Sequence, residues 1–191
     1  MPQSSLTENV KNGIIGVIRG TGEIVNAVTD TVSGSIVNAV KGTGAVGTAV
    51  TSSATEVARG VIQGTSEVGG DLGGAAKGAM VGVLRGTKDV GSVTMDTVSA
   101  SASSVVRSTA EVGGDIAGAA HMAVEGAIQG ARDIGVNVAD AASAAATGAI
   151  NAAGDISGAA VEQVTAAVTG VIDGVKVVAR EPFKKGSSTN A

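Results

Sequence analysis

Residues 17–40 read VIRGTGEIVNAVTDTVSGSIVNAV, and the spacing of their apolar side chains decides the fold class. Ile18, Val25, Val28, Val32, Ile36 and Val40 follow one another at intervals of seven, three, four, four and four. Such intervals return side chains to one face of a helix, whereas a strand facing one core alternates with a period of two. The stretch predicts an all-α chain of amphipathic helices. A β-solenoid with 22-residue coils is the alternative, because a solenoid coil can have this length.

The pattern recurs without a gap in rows of 22 residues. Successive rows open VIRGTGEI at 17, AVKGTGAV at 39, VIQGTSEV at 61, VLRGTKDV at 83, VVRSTAEV at 105, AIQGARDI at 127, AINAAGDI at 149 and VIDGVKVV at 171. EVGGD stands at both 67 and 111. The chain is thus an array of eight rows made by duplication, whose 22-residue period is six turns of a helix at about 3.67 residues per turn. It divides into a polar lead over 1–12, the array over 13–181 and a polar tail over 182–191, read as a disordered end.

Composition sets what fills the helices. Among 191 residues there are 30 Gly, two Pro, no Cys, no Trp and a single aromatic, Phe183. A core built on large rings is excluded, while a hydrophobic share of 43% and a mean hydropathy of +0.34 argue against a polar disordered chain. The net charge of −4 is thinly spread, with no basic cluster to reward a phosphate backbone, so nucleic acid is not an expected partner. No signal peptide and no apolar run of transmembrane length is seen, and the expected location is cytoplasmic, peripheral to a membrane or inclusion.

On a helical wheel the repeat sorts into three strips. The apolar coating face carries Ile18, Val40, Ile62, Leu84, Val106, Ile128, Ile150 and Ile172 in one column. A second column holds Ile24, Val46, Val68, Val90, Val112, Ile134, Ile156 and Val178. On the opposite, charged strip, Arg19, Lys41, Arg85 and Arg107 stand four residues before Glu23, Ala45, Asp89 and Glu111, a spacing that predicts weak pairs within each helix. A third strip is small: Gly16 and Gly20, Gly60 and Gly64, Gly82 and Gly86, Ser104 and Ser108, Gly126 and Gly130, Gly148 and Ala152, Gly170 and Gly174, broken only at Asn38 and Gly42. Small residues at this spacing let helix backbones approach closely.

Glycine makes such helices weak alone. Each costs about 0.8–1.0 kcal/mol relative to Ala, and burying a Val or Ile returns about 1.5–3 kcal/mol, so the apolar columns need a covering surface. The weakest helical stretches, and the candidate hinges, are Gly69-Gly70 with Gly73-Gly74, Gly113-Gly114, and the run Ser99 to Ser104. Breaks there would fold long helices into a hairpin or bundle, or a side-by-side assembly.

The Val, Ala, Thr and Gly mixture on 11-residue helical repeats, as in AVKGTGAVGTAV (39–50) and VTAAVTGVIDGVKVVA (164–179), resembles synuclein over 17–179. More loosely it resembles perilipins, exchangeable apolipoproteins and bacterial phasins. The resemblance implies an amphipathic helix lying on a lipid or storage-granule surface.

No catalytic constellation is visible, and the chain is read as a non-enzyme without cofactor, metal or small-molecule substrate. Residues 42–47 fit GxGxxG but lack a strand-turn-helix setting, and their glycines belong to the repeat. His121 stands alone, and Asp71, Asp115, Asp133 and Asp155 gather no His or Cys. The Thr row at 21, 43, 65, 87 and 109 is similar to that of helical antifreeze proteins, a minor reading beside desiccation protection. The expected function is a self-associating structural protein, a homo-oligomer whose repeats coat a lipid or other hydrophobic surface. The alternative is a purely proteinaceous scaffold or filament.

Overall fold

A computed structural model describes the backbone of residues 3–21, 24–43 and 47–179, and the side chains of 6–17, 24–41 and 47–179. Among the described residues eight helices follow in order: α1 (Gln3–Thr21), α2 (Ile24–Thr43), α3 (Thr48–Glu67), α4 (Leu72–Asp89), α5 (Met95–Glu111), α6 (Ile116–Ile134), α7 (Val138–Ile156) and α8 (Gly158–Val168). The chain is all-α, and the β-solenoid is not formed. Among the described residues the strands are β1 (Gly170–Ile172) and β2 (Val175–Val177), one antiparallel hairpin.

The helices are short rather than long, because four successive rows each supply a stop of their own. Gly69, Gly91, Gly113 and Gly135, one column of the repeat, have φ between 67° and 75°, the left-handed region that only Gly enters at no steric cost. At Gly69 the amide donates to the Ser66 carbonyl and Gly70 to that of Thr65; at Gly113 the same two bonds run to Ala110 and Thr109. This pair of bonds closes a helix C-terminus on its own carbonyls. The next helix starts at once, since Asp71 and Asp115 accept from the amides of Gly73 and Gly118, as Asn137 does from Asp140. Gly-Gly-Asp is therefore a stop followed by a start. Breaks fall at Gly69-Gly70 and Gly113-Gly114 as read, but Gly73-Gly74 opens α4 and Ser99 to Ser104 lies inside α5.

From α1 to α7 each helix packs most extensively on a helix two places away, and α8 packs equally on α6 and α7, so α1, α3, α5 and α7 form one layer and α2, α4, α6 and α8 the other. Neighbours within a layer are parallel, and a hairpin of two helices is the unit that stacks. The core lies between the layers, built from Val28, Val32, Ile36, Val57, Ile62, Met80, Leu84, Val106 and Ile128 with many Ala. Of the polar lead expected over 1–12, residues 3–12 belong to α1, and Val10 is buried in that core.

The eighth row departs from the rest. By the repeat, α8 would continue as α7 does, but it ends at Val168 and the chain turns into the hairpin. Asp173 and Gly174 both have positive φ, 48° and 76°, the turn that suits a two-residue hairpin link. β-branched residues flank the turn, Val171 and Ile172 before it and Val175 and Val177 after it, which favours strands. Ile172 and Val177 are buried, and β2 lies against α7 where a ninth helix would otherwise sit.

Candidate functional site

The first apolar column faces inward. Ile62, Leu84, Val106 and Ile128 are fully buried and Ile150 and Ile172 nearly so, while Val40 is half-buried and Ile18 lies outside the described side chains. Another layer of the same chain is what covers them. The second column falls at helix ends: Ile24, Val68, Val90, Val112 and Ile134 are half-buried, Ile156 and Val178 are exposed, and Val46 is outside the described residues.

On α3 to α7 the small strip meets the helix two places before it. A Cβ at Gly60 would lie 2.7 Å from the Thr7 carbonyl oxygen, one at Gly64 2.9 Å from that of Lys11, and one at Gly82 2.8 Å from that of Thr29. Gly86, Gly126 and Gly130 are similarly closed in by α2 and α4, and Gly148 by the Ser99 carbonyl. Where the strip carries Ser104 instead, its hydroxyl donates to the Thr55 carbonyl at 2.8 Å. Three assignments fail. Gly16, on the first described helix, has nothing within 4 Å, and Gly170 and Gly174 sit in the hairpin at positive φ with nothing close. Gly20 lies outside the described side chains.

Charges pair across helices, not along them. Arg85 donates to Asp133 and Arg107 to Asp155, both at 2.6 Å over 48 residues, so neither uses the acid four residues on. Glu111 is taken by Arg59 at 3.2 Å, and Lys77 pairs with Glu125 at 3.0 Å. Parallel helices bring equivalent columns side by side, which is why the lateral partner wins. At the C-terminal end Arg132 binds both the carboxylate and the carbonyl of Asp173 and pins the hairpin.

The remaining candidates are accounted for structurally. Asp71 and Asp115 are caps, and Asp133 and Asp155 are ion-pair partners. His121 is half-buried and its Nδ1 donates to the Ala167 carbonyl at 2.8 Å, tying α6 to α8. Thr65, Thr87 and Thr109 are buried near helix ends and so form no surface, while Thr21 and Thr43 lie outside the described side chains. Residues 42–47 lie at the junction of α2 and α3, mostly outside the described residues. No group of His, Asp or Glu among the described residues could hold a metal ion, and no helix there is long and apolar enough to cross a membrane.

The outer surfaces carry shallow grooves. One of about 370 Å³ runs between α5 and α7, lined by Asp96, Ser99, Asp140, Ser143 and Thr147. Another, of about 390 Å³, lies over the starts of α4 and α6 around Asp71, Asp115 and Met122.

The two ends differ from the interior of the array. On α2 the exposed residues Asp30 and Asn38 occupy the columns in which α4 has buried Gly74 and Gly82. Polar side chains thus stand where a preceding helix would have to close. At the other end the hairpin covers α7. The polar caps and the left-handed glycines were readable as Gly-Gly-Asp, and the hairpin as Asp-Gly between Val171-Ile172 and Val175-Lys176-Val177.

No protein-family model matches the chain, and no curated protein matches it in sequence.

Proposed function

We propose that the chain is a non-enzymatic structural repeat protein, a finite two-layer helical scaffold that presents its outer faces to a partner. One observation carries the reading: the apolar column from Ile62 to Ile128 is closed within the molecule, so the chain does not need a foreign surface to fold. A repeat array needs polar or capped ends to stay soluble as a unit, and Asp30 with Asn38 at one end and the docked hairpin at the other serve that purpose. Open-ended growth into a filament is disfavoured by the same two features. A homo-oligomer, if formed, would use the sides of the layers.

Coating of a lipid or granule surface is the second reading. It is supported by Ile156, Val171 and Val178, large apolar side chains that face solvent near the C-terminal end. It requires the two layers to part so that each helix can lay its inner face on the surface.

Circular dichroism and light scattering in plain buffer, repeated with neutral and anionic vesicles, test both. The scaffold reading expects full helicity and one small particle in buffer, unchanged by vesicles. Helicity that arises only with vesicles, together with flotation, would overturn it in favour of coating.

A further inference from the structure

Three departures from the repeat converge on one groove between α3 and α5. Glu56 stands in a column that is otherwise uncharged, with Gly34, Gly78 and Ala100 in other rows. Ser104 and Ser108 stand in the two columns where α3, α4 and α6 carry Gly at both places. Each serine puts a Cβ and a hydroxyl where those helices have only hydrogen, which holds the two backbones apart. Accordingly α3 and α5 pack less extensively than any other pair two places apart between α1 and α7. The space left is a groove of about 150 Å³ lined by Thr55, Glu56, Arg59, Ser104, Arg107 and Ser108.

The polar groups around it do not satisfy one another. Glu56 is half-buried and its carboxylate forms no ion pair among the described residues. Ser108 is 1% exposed, and its hydroxyl has no hydrogen-bond partner there. The hydroxyls of Ser104 and Thr55 donate to the carbonyls of Thr55 and Thr51, so their oxygens can still accept. Arg59 and Arg107, the cations on the groove, are held by Glu111 and Asp155. On the α1 side Thr7 donates to the backbone carbonyl of Glu56, and Lys11 is taken by Glu67. A carboxylate shielded from water and a buried hydroxyl without a partner both call for a donor.

We propose that this groove is a binding site for a primary ammonium group, carried by a small alkylamine or by a lysine side chain of a partner. An ammonium has three N–H donors, and the groove meets them with the Glu56 carboxylate, the Ser108 hydroxyl and the oxygen of Ser104 or Thr55. Its charge fits as well. Glu56, Glu111 and Asp155 stand against Arg59 and Arg107, which leaves one negative charge without a counterpart. Burial raises the Glu56 carboxyl above its ordinary value and Arg59 offsets this only in part, so a bound cation supplies the compensation that is missing. An anion would meet Glu56 directly, beside two arginines already engaged.

The full chain is titrated with butylammonium chloride at pH 7 while the amide signals of Glu56, Ser104 and Ser108 are followed by NMR. A saturable shift is expected, and the Glu56 carboxyl should then ionise at lower pH than in the free protein. Tetramethylammonium, which carries the charge without a donor, should do neither. Glu56→Gln is expected to weaken binding roughly tenfold and Ser108→Ala about threefold. Ser104→Gly with Ser108→Gly, which lets α5 close on α3 as the glycine-lined helices do, should abolish it. A lysine-containing peptide that competes with butylammonium assigns the site to a partner's lysine, and one that fails to compete assigns it to a free amine; both outcomes support the site. Equal shifts with tetramethylammonium, or binding to Glu56→Gln as tight as to the parent, would overturn it. Glu56→Gln decides the matter even if the double glycine variant fails to fold, which circular dichroism reports.

Discussion

Gly126 on α6 faces the backbone of Lys77 on α4 so closely that a Cβ there would stand 2.5 Å from the Lys77 carbonyl oxygen. Helices of one layer touch through their backbones at such points, so a methyl group has nowhere to go. Gly126→Ala is expected to destabilise the protein by about 1–3 kcal/mol through overpacking. Gly34→Ala, on a helical glycine with nothing within 4 Å, should stabilise it by about 0.5–1 kcal/mol. Urea denaturation of both variants checks the contrast, and equal effects would refute the assignment of the strip.

Turn glycines fail for a different reason. Gly113 has open space around it but a φ of 71°. Gly113→Ala should cost about 1–2 kcal/mol from backbone strain alone, and Gly113→Asn less, since Asn tolerates this region. Loss of the adjoining cap by Asp115→Ala should cost about 1 kcal/mol. Thermal melts of the three variants rank the effects.

The lateral ion pairs predict where coupling is found. A double-mutant cycle on Arg107 and Asp155 should give about 0.2–1 kcal/mol, falling in high salt, as exposed pairs do. The cycle on Arg107 and Glu111, four residues apart on one helix, should give nothing measurable. The reverse result would mean that charges pair along the helix after all.

Glu56 gives a pH signature. Burial, only partly offset by Arg59, raises its carboxyl above the usual 4.5. The folded state therefore resists ionising it, so this group favours folding at acid pH, and that advantage is lost as pH rises from the ordinary glutamate value through the raised one. Glu56→Gln removes the penalty: the variant should be more stable than the parent at pH 7 and no more stable at pH 3.5. Urea midpoints at the two pH values measure it.

Cap removal tests the finite scaffold. A chain ending at Thr169 lacks Ile172 and Val177 and bares the face of α7 that β2 covers. It should self-associate, whereas the full chain should scatter light as a single small species. If truncation leaves the particle mass unchanged, the hairpin is not what ends the array.

Much of this architecture was determined locally. The intervals between Ile18 and Val40 require helices, the 22-residue rows require a repeating array, and Gly-Gly-Asp at 69–71 and 113–115 marks breaks because a left-handed glycine and an N-capping carboxylate act within a few residues of themselves. Asp173-Gly174 marks the hairpin by the same local chemistry. What covers the apolar columns was decided only by tertiary structure. A column of Ile and Val is equally satisfied by lipid, by another copy or by its own chain, because apolar burial has no direction. The choice of Asp155 over Glu111 as the partner of Arg107 arose likewise from the packing of α5 beside α7. A helix wheel shows which residues share a face, and only the neighbouring helix settles what that face meets.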